Sequence, residues 1–190
     1  MVDVIKENQS RREEKPVAVV TGANRGIGRA VAVEFARQGC AVLVGARSQE
    51  KAAEPIAEIE ALGGEAISIT CDVTKYTDLE HAVERAFDSY GRLDFLINNA
   101  GIIEPMSLFK DSDPVEWEAN IKTNLLGVYN GCRAALPRLE EAGRGVIVNV
   151  SSGAAHRPLE QWSAYCSGKA AVYCSGKAAV AMLTRCIALE

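Results

Sequence analysis

The stretch PVAVVTGANRGIG, residues 16 to 28, joins an apolar run to a glycine-rich turn and then to a helix-like pattern. The run is rich in valine and alanine, which predicts a buried strand. Glycines at positions 22, 26 and 28 leave out side chains that would keep a phosphate group away from the backbone, and the N–H groups at a helix start point toward such an anion. A turn of this kind also occurs without any ligand, so its position directly after a first strand is what favours an anion site.

The rest of the chain alternates short apolar runs with longer helix-like stretches. Helices are predicted at residues 27–38, 49–62 and 78–90, as one or two segments at 114–139, and in an Ala-rich stretch at the end. Further strands are predicted in CAVLVGA, EAISITCDV, LDFLINNAG and GRGVIVNVSS. Five strands alternating with helices predict a parallel sheet covered on both faces. Ligands of such sheets bind at the carboxyl ends of the strands.

The composition is that of an ordinary globular protein and argues against some partners. The chain has 190 residues, 48% of them hydrophobic and 24% charged, with a net charge of −4. This length predicts one domain, residues 16–190, after a frayed arm at residues 1–15. The negative charge and the lack of a basic patch argue against nucleic-acid and membrane partners. No signal sequence is recognisable, and six cysteines without metal-ligand spacing predict reduced thiols, a cytoplasmic location and no metal.

The end of the predicted second strand bears on the type of nucleotide that could bind. An acidic residue there would hold the ribose 2′-hydroxyl of NAD, but the chain has Ala46 followed by Arg47. Arg47 instead favours a 2′-phosphate, and Arg25 could supply a second guanidinium contact. The alternative is that both arginines are solvated surface residues. The sequence therefore favours NADP(H) over NAD(H).

Several motifs in order carry a resemblance to a known family. They are TGANRGIG at 21–28, NNAG at 98–101, the asparagine in KTNLLG, and Ser-Ser followed by Tyr-x-x-x-Lys. With them the sequence resembles the short-chain dehydrogenase/reductase family. The resemblance implies a three-layer Rossmann-type α/β fold with strand order 3-2-1-4-5, and an NADPH-dependent oxidoreductase that interconverts a carbonyl and a secondary alcohol on a small soluble substrate. The cofactor-binding residues implied are Gly22, Asn24, Arg25, Gly26, Ile27, Gly28, Arg47, Asp72, Val73, Asn99, Ala100, Gly101, Tyr165 and Lys169.

The resemblance implies a catalytic set of Asn124, Ser152, Tyr165 and Lys169. Reducing a carbonyl by hydride transfer builds negative charge on its oxygen, so a proton donor is needed there. A tyrosine hydroxyl with a pKa of about 10 is a slow acid at neutral pH. A lysine four residues later in a helix lies on the same face and lowers that pKa. Ser152 would hydrogen-bond the carbonyl oxygen, and by resemblance Asn124 would hold a water linking the lysine to solvent.

The segment YCSGKAAV occurs twice in succession, at 165–172 and 173–180. The spacing from Ser152 favours Tyr165 and Lys169, whereas the sequence that follows favours Tyr173 and Lys177. One continuous helix through both copies would move everything after it by about 12 Å. Extruding the first copy as a loop would preserve the downstream packing but discard a good helical segment. We prefer Tyr165 and Lys169; in a further interpretation the repeat is a sequence error and neither pair is competent.

The family normally continues with another strand, a substrate lid and a final strand, which a chain ending at Glu190 is expected to lack. The alternative function is therefore an inactive nucleotide-binding or dimerising fragment, while the complete protein is expected to form a homodimer or homotetramer. The stretch SSGAAHRPLEQWSAYCSGKAA also resembles sepiapterin-reductase and benzil-reductase-like members. Four residues either line a substrate pocket or are ordinary loop residues, namely Glu104, His156, Arg157 and Trp162.

Overall fold

The computed structural model describes residues 15–173. The first half alternates strands and helices as β1 (Val17–Thr21), α1 (Gly26–Arg37), β2 (Ala41–Ala46), α2 (Gln49–Ala61), β3 (Glu65–Thr70), α3 (Tyr76–Tyr90) and β4 (Phe95–Asn98). The second half contains a 3₁₀ turn (Phe109–Asp111), α4 (Pro114–Ile121), a π-helical turn (Lys122–Leu126), α5 (Gly127–Ala142), β5 (Val146–Asn149), a second 3₁₀ turn (Gly153–Ala155) and α6 (Ser163–Tyr173).

The five strands form one sheet in the order β3-β2-β1-β4-β5. The pairs β1 with β2, β1 with β4 and β2 with β3 are parallel, and the register aligns Val17 with Ala41 and Ala18 with Phe95. The predicted fold class and strand order are confirmed. From β1 the chain adds strands first toward one edge of the sheet (β2, β3) and then toward the other (β4, β5). The carboxyl ends of the parallel strands β1 and β4 therefore form the switch point at which such sheets bind ligands.

Alternate residues of the strands cover the two faces of the sheet. Val17 and Val19 of β1 belong to a buried cluster that includes Ala82, Val83 and Ala86 of α3 and Leu139 of α5. The neighbours in between, such as Ala18 and Val20, are also fully buried and face the opposite side, where α1 and α2 pack. Every residue of β1 and β2 is buried, which explains why these two strands are almost entirely apolar instead of alternating with polar residues.

The described chain divides into two compact units. One comprises residues 15–99 and 130–148 and holds nearly all of the sheet; the other comprises residues 100–129 and 149–173. The predicted helix at 114–139 is observed as α4 and α5 with the π-helical turn between them.

The first copy of the repeat is helical. Residues 165–172 all lie in α6, which begins at Ser163 and runs into the second copy as far as Tyr173. The alternative in which the first copy is extruded as a loop is therefore not observed. The remainder of the second copy, including Lys177, lies outside the described residues.

Candidate functional site

The glycine-rich turn after β1 has the backbone that an anion site requires. Gly22 and Gly26 have φ angles of 64° and 56°, a region that side chains disfavour. Arg25 precedes the first turn of α1, and no side chain caps the N–H groups there. The uncapped amides and the positive end of the helix dipole can therefore bind a phosphate. Among the residues predicted for this role, the structure places Gly22, Asn24 and Arg25 in the turn and Gly26, Ile27 and Gly28 in the helix.

Asn99 fastens this turn to the end of β4. Its side-chain Nδ2 donates to the carbonyl oxygens of Thr21 at 3.0 Å and Gly22 at 3.3 Å, and its backbone N–H donates to Thr21 Oγ1 at 3.0 Å. Gly28 is buried, and a Cβ added to it would collide with Asn99 Nδ2 and the Gly22 carbonyl oxygen. The turn is thus held by the hydrogen bonds of Asn99, and this close packing is possible because residue 28 is a glycine.

Arg25 and Arg47 are exposed, and neither forms an ion pair with another residue in the range 15–173. The turn is tied to the end of β2, since the N–H of Ala23 donates to the Gly45 carbonyl oxygen at 2.9 Å. Arg47 follows β2 by one residue. Arg29 differs because its guanidinium binds Glu54 at 2.6 Å and Glu58 at 2.8 Å. Both unpaired arginines can therefore bind an added phosphate, whereas Arg29 is already engaged.

Asp72 and Val73 lie in the turn between β3 and α3. The Asp72 carboxylate accepts from the backbone N–H and hydroxyl of Thr74, and the Asp72 N–H donates to Asp78 at 2.9 Å. Val73 is buried, and its carbonyl oxygen accepts from the buried Asn130 side chain at 2.9 Å. The backbone after β3 is thus fixed by hydrogen bonds at both Asp72 and Val73.

In the second unit, Ser152 starts the 3₁₀ turn at Gly153–Ala155. Its Oγ accepts from the Ala154 N–H at 3.2 Å. This bond uses a lone pair of the hydroxyl and does not consume its hydrogen. Ser152 can therefore still donate a hydrogen bond to a substrate oxygen, and α6 packs against the same turn.

Tyr165 and Lys169 lie one turn apart on α6. Lys169 is only 4% exposed, and its Nζ donates to the Val150 carbonyl oxygen at 2.9 Å. The same Nζ lies 5.8 Å from the centre of the Tyr165 ring. Burial lowers the pKa of the Lys169 ammonium. The Tyr165 ring also meets Trp162 edge to face, with ring centres 5.6 Å apart. The phenol ring therefore has both an indole and a buried amine as neighbours.

Asn124 is fully buried in the π-helical turn. Its Oδ1 accepts from the Ile102 N–H at 3.1 Å, and its Nδ2 donates to the Ile102 carbonyl oxygen at 2.8 Å and to Asn120 Oδ1 at 2.7 Å. Both side-chain hydrogens are therefore engaged within the protein. The predicted water between lysine and solvent would have to use backbone atoms of the turn or the second lone pair of Oδ1. π-helical turns often mark functional positions because they interrupt the regular backbone pattern.

The structure distributes the predicted residues between the two units. Ala100, Gly101, Asn124, Ser152, Tyr165 and Lys169 lie in the second unit, and the other predicted cofactor residues lie in the first. Tyr173 ends α6, and its side chain and Lys177 lie outside what the structure describes. The choice between the two tyrosines stays a prediction. Three of the four candidate pocket residues, Glu104, His156 and Arg157, are exposed; Trp162 is half-buried.

Sequence reasoning missed several residues that organise these sites. Thr21 joins β1 to β4 by donating to the Ile97 carbonyl oxygen at 3.3 Å. Asn120 holds Asn124, and Gly168 lets α6 approach both asparagines. The only sequence signal for Asn120 was its spacing of four residues from Asn124, which places two asparagines on one helical face.

Residues 15–173 were also compared with the requirements of a metal site and of a membrane span. No group of three or more His, Cys, Asp or Glu side chains in this range is arranged to hold a metal ion. No helix in the range is long and apolar enough to cross a membrane. Cys40, Cys71, Cys132 and Cys166 are not joined in disulfide bonds, and burial raises the pKa of Cys71 to about 12, so this thiol stays protonated at neutral pH.

Comparisons with known proteins agree on one family. A family model described as short chain dehydrogenase matches residues 16–190. The chain is 37% identical over 156 residues to 2,5-dichloro-2,5-cyclohexadiene-1,4-diol dehydrogenase LinX of Sphingobium indicum, covering 82% of this chain and 62% of that protein. It is 34% identical over 161 residues to a 3beta-hydroxysteroid dehydrogenase of Mediterraneibacter gnavus, covering 85% and 58%. The chain therefore spans about three fifths of the length of these relatives.

A solved structure gives the same result for the fold. It is a metagenomic short-chain oxidoreductase in complex with NADP, with a TM-score of 0.84 and 36% sequence identity. The match covers 90% of this chain and 77% of that chain.

Proposed function

Because the chain belongs to the short-chain dehydrogenase family, we propose that it acts as an NADPH-dependent oxidoreductase that interconverts a carbonyl and a secondary alcohol on a small soluble substrate. The observation that carries this proposal is Tyr165 beside the buried Lys169, whose Nζ lies 5.8 Å from the phenol ring. The structural relative in complex with NADP supports the choice of cofactor class.

The residues present fit a dinucleotide with a 2′-phosphate. Gly28 has no space for a Cβ, and the uncapped start of α1 can receive the pyrophosphate. Arg25 and Arg47 are exposed cations without an acidic partner among residues 15–173. A guanidinium binds a phosphate through two parallel hydrogen bonds, so both arginines favour NADP(H) over NAD(H).

The residues of the second unit supply the proton chemistry. When bound, the reduced nicotinamide provides a hydride for the carbonyl carbon. Ser152 donates a hydrogen bond to the carbonyl oxygen and stabilises the charge that develops there. Tyr165 gives its hydroxyl proton to this oxygen, and Lys169 stabilises the resulting phenolate. In the oxidative direction the same groups work in reverse, with the phenolate accepting the alcohol proton.

We also propose that the complete protein is a cytoplasmic homodimer or homotetramer. Val115 of α4, Leu126 of the π-helical turn and Tyr129 of α5 are between 46% and 73% exposed. Large apolar side chains at this exposure are typical of a surface that another chain covers. A mass measurement in solution tests this part separately from activity.

The test combines binding and turnover in the same 190-residue chain. We expect NADPH to bind more tightly than NADH in a fluorescence titration, and NADPH to be consumed with at least one member of a panel of ketones and diketones. Tyr165→Phe should lower kcat about 10²-fold or more while Tyr173→Phe leaves it unchanged. Arg47→Asp should weaken NADPH binding about tenfold or more, and Arg85→Asp, on an exposed helix position, serves as the matched charge control.

The outcomes separate the proposal from its alternative. Binding of NADPH without turnover by the folded chain favours a nucleotide-binding or dimerising fragment. Loss of activity in Tyr173→Phe but not in Tyr165→Phe would assign the reaction to the second copy of the repeat. A folded chain that binds neither cofactor contradicts the proposal.

A further inference from the structure

Asn120 is a fully buried polar residue on α4, one helical turn before Asn124. Its Nδ2 faces the carbonyl oxygens of Ile102 at 3.3 Å, Ile103 at 3.2 Å and Glu104 at 2.7 Å. An amide group has two hydrogens, so three acceptors share them and no donor capacity is left over. Asn120 therefore donates hydrogen bonds to three successive backbone carbonyls in the segment that follows the NNAG motif.

These carbonyls also fix which way the Asn120 side chain points. Turning the amide around would bring its oxygen against three carbonyl oxygens, which repel it. Oδ1 of Asn120 must therefore be the acceptor that faces Asn124, whose Nδ2 donates to it at 2.7 Å. Because the second hydrogen of Asn124 Nδ2 binds the Ile102 carbonyl oxygen at 2.8 Å, the orientation of Asn124 depends on Asn120.

The same pair of asparagines supports α6 at Gly168. A Cβ added at Gly168 would lie 3.0 Å from Asn124 Cβ and 3.2 Å from Asn120 Oδ1. The helix backbone therefore rests directly on the two side chains, and the next residue along is the buried Lys169. A change in the asparagine pair would move or loosen the helix that carries Tyr165 and Lys169.

We propose that Asn120 is a positioning residue of the candidate active site, which orients the Asn124 carboxamide and seats α6 at Gly168 so that Tyr165 and Lys169 are held in place. It touches neither substrate nor cofactor and acts only through these neighbours. The inference rests on the proposed function for its effect on catalysis. Its effect on Asn124 and Lys169 can be measured without any turnover.

Two substitutions disturb the asparagine pair in different ways, one within the pair and one in α6. Asn120→Asp keeps the shape and the acceptor for Asn124 but, as a carboxylate, cannot donate to the three carbonyls. Gly168→Ala leaves Asn120 intact and presses a methyl group against it. The matched control is Ile59→Ala, which removes a fully buried side chain of α2 in the other unit and lowers stability without touching this cluster.

Two NMR measurements report directly on the asparagine pair and on Lys169. Hydrogen exchange of the Asn124 side-chain amide should quicken about tenfold or more in both variants. In Asn120→Asp the three carbonyl oxygens repel the carboxylate and displace the acceptor of Asn124, and in Gly168→Ala the added methyl group displaces Asn124 itself. The pKa of Lys169, followed through its labelled ε-carbon, should rise toward the ordinary value near 10.5 as the lysine becomes more hydrated. Ile59→Ala should lower Tm and leave both readouts at the parent values.

Kinetics provide the third readout. If the parent chain is active, both variants should have a lower kcat than the parent, by up to about 10²-fold for Asn120→Asp. The NADPH dissociation constant should stay unchanged. Absence of turnover in the parent chain would contradict the proposed function. Both NMR responses in the variants would still support the positioning role of Asn120. Parent-like Asn124 exchange and Lys169 titration in a folded Asn120→Asp variant would overturn the inference. If Asn120→Asp does not fold, the same two measurements on Gly168→Ala test the inference. Parent-like exchange of Asn124 and a parent-like titration of Lys169 in that variant would overturn it.

Discussion

Gly28 and Asn99 show how single residues set the geometry of the glycine-rich turn. The absent Cβ of Gly28 leaves room for the Asn99 side chain, which in turn holds the Thr21 and Gly22 carbonyl oxygens. The NNAG motif and the glycine motif lie far apart in the sequence, yet they form one structural unit because β1 and β4 are neighbours. The shape of the turn thus depends on Asn99, a residue that lies 77 positions after Gly22 in the sequence.

The substitution Gly28→Ala tests this arrangement. Its methyl group would collide with backbone at Gly22, which cannot move as a flexible side chain could, so we expect a loss of about 1 to 3 kcal/mol in the free energy of unfolding. NADPH binding should be lost with it. Urea denaturation and fluorescence titration measure the two effects. Gly153→Ala is the control, because an added Cβ there meets nothing within 4 Å; equal stability of both variants would contradict the account.

At the scale of elements, α4 depends on a cap at its start. Asp113 Oδ1 accepts from the backbone N–H groups of Val115 at 2.7 Å and Glu116 at 3.3 Å, and Pro114 occupies the first helical position. Both are sequence signals for a helix start. The helix then carries Asn120 and leads into the π-helical turn that contains Asn124. The cap therefore supports an element whose buried face belongs to the candidate site.

Removing the cap should loosen α4. Asp113→Ala is expected to cost about 1 kcal/mol of stability because two N–H groups lose their acceptor. Hydrogen exchange in the first turn of α4 should quicken accordingly. Asp113→Asn keeps a capping oxygen and should restore most of the loss. Unchanged exchange in Asp113→Ala would show that tertiary packing alone holds this helix end.

At the scale of the whole molecule, Asp94 connects strands that are distant in the sequence. Its carboxylate accepts from the Val17 N–H at 2.8 Å and from Arg92 at 2.6 and 2.7 Å, while its backbone carbonyl accepts from the Val146 N–H at 2.8 Å. β1, β4 and β5 are therefore joined at one buried residue. Burial opposes ionisation of Asp94, but the hydrogen bonds from Arg92 and Val17 outweigh it and hold the pKa of this carboxyl below its usual value.

This lowered pKa makes stability depend on pH. Between the usual pKa of about 3.9 and the lower folded value, the unfolded chain binds more protons than the folded chain. The contribution of Asp94 is thus complete above the unfolded pKa and is lost as pH falls through the folded pKa. Asp94→Asn should cost about 2 kcal/mol at pH 7, and its difference from the parent should shrink below about pH 4.

Urea denaturation between pH 7 and pH 3 measures this difference. Asp88→Asn, at an exposed position of α3, should match the parent throughout. A constant difference between Asp94→Asn and the parent over this range would contradict ionisation as its cause.

The family, the parallel sheet with its strand order and the positions of most elements could be predicted from the amino-acid sequence alone. Apolar runs, glycine turns and helix signals act over a few residues, so they can be read locally. It also identified Tyr165 and Lys169 as a helical pair, because a spacing of four residues places both on one face whatever the surroundings.

The surroundings of those residues follow from how the helices and strands pack and could not be predicted. The sequence predicted Lys169 as a catalytic residue but carried no signal for its burial against the Val150 carbonyl oxygen, which follows from the packing of α6. Asn120 resembles any polar residue of an exposed helix, yet it binds three carbonyls some seventeen residues away. Such contacts join segments whose separation along the chain has no fixed period, and they exist only after the helices have packed.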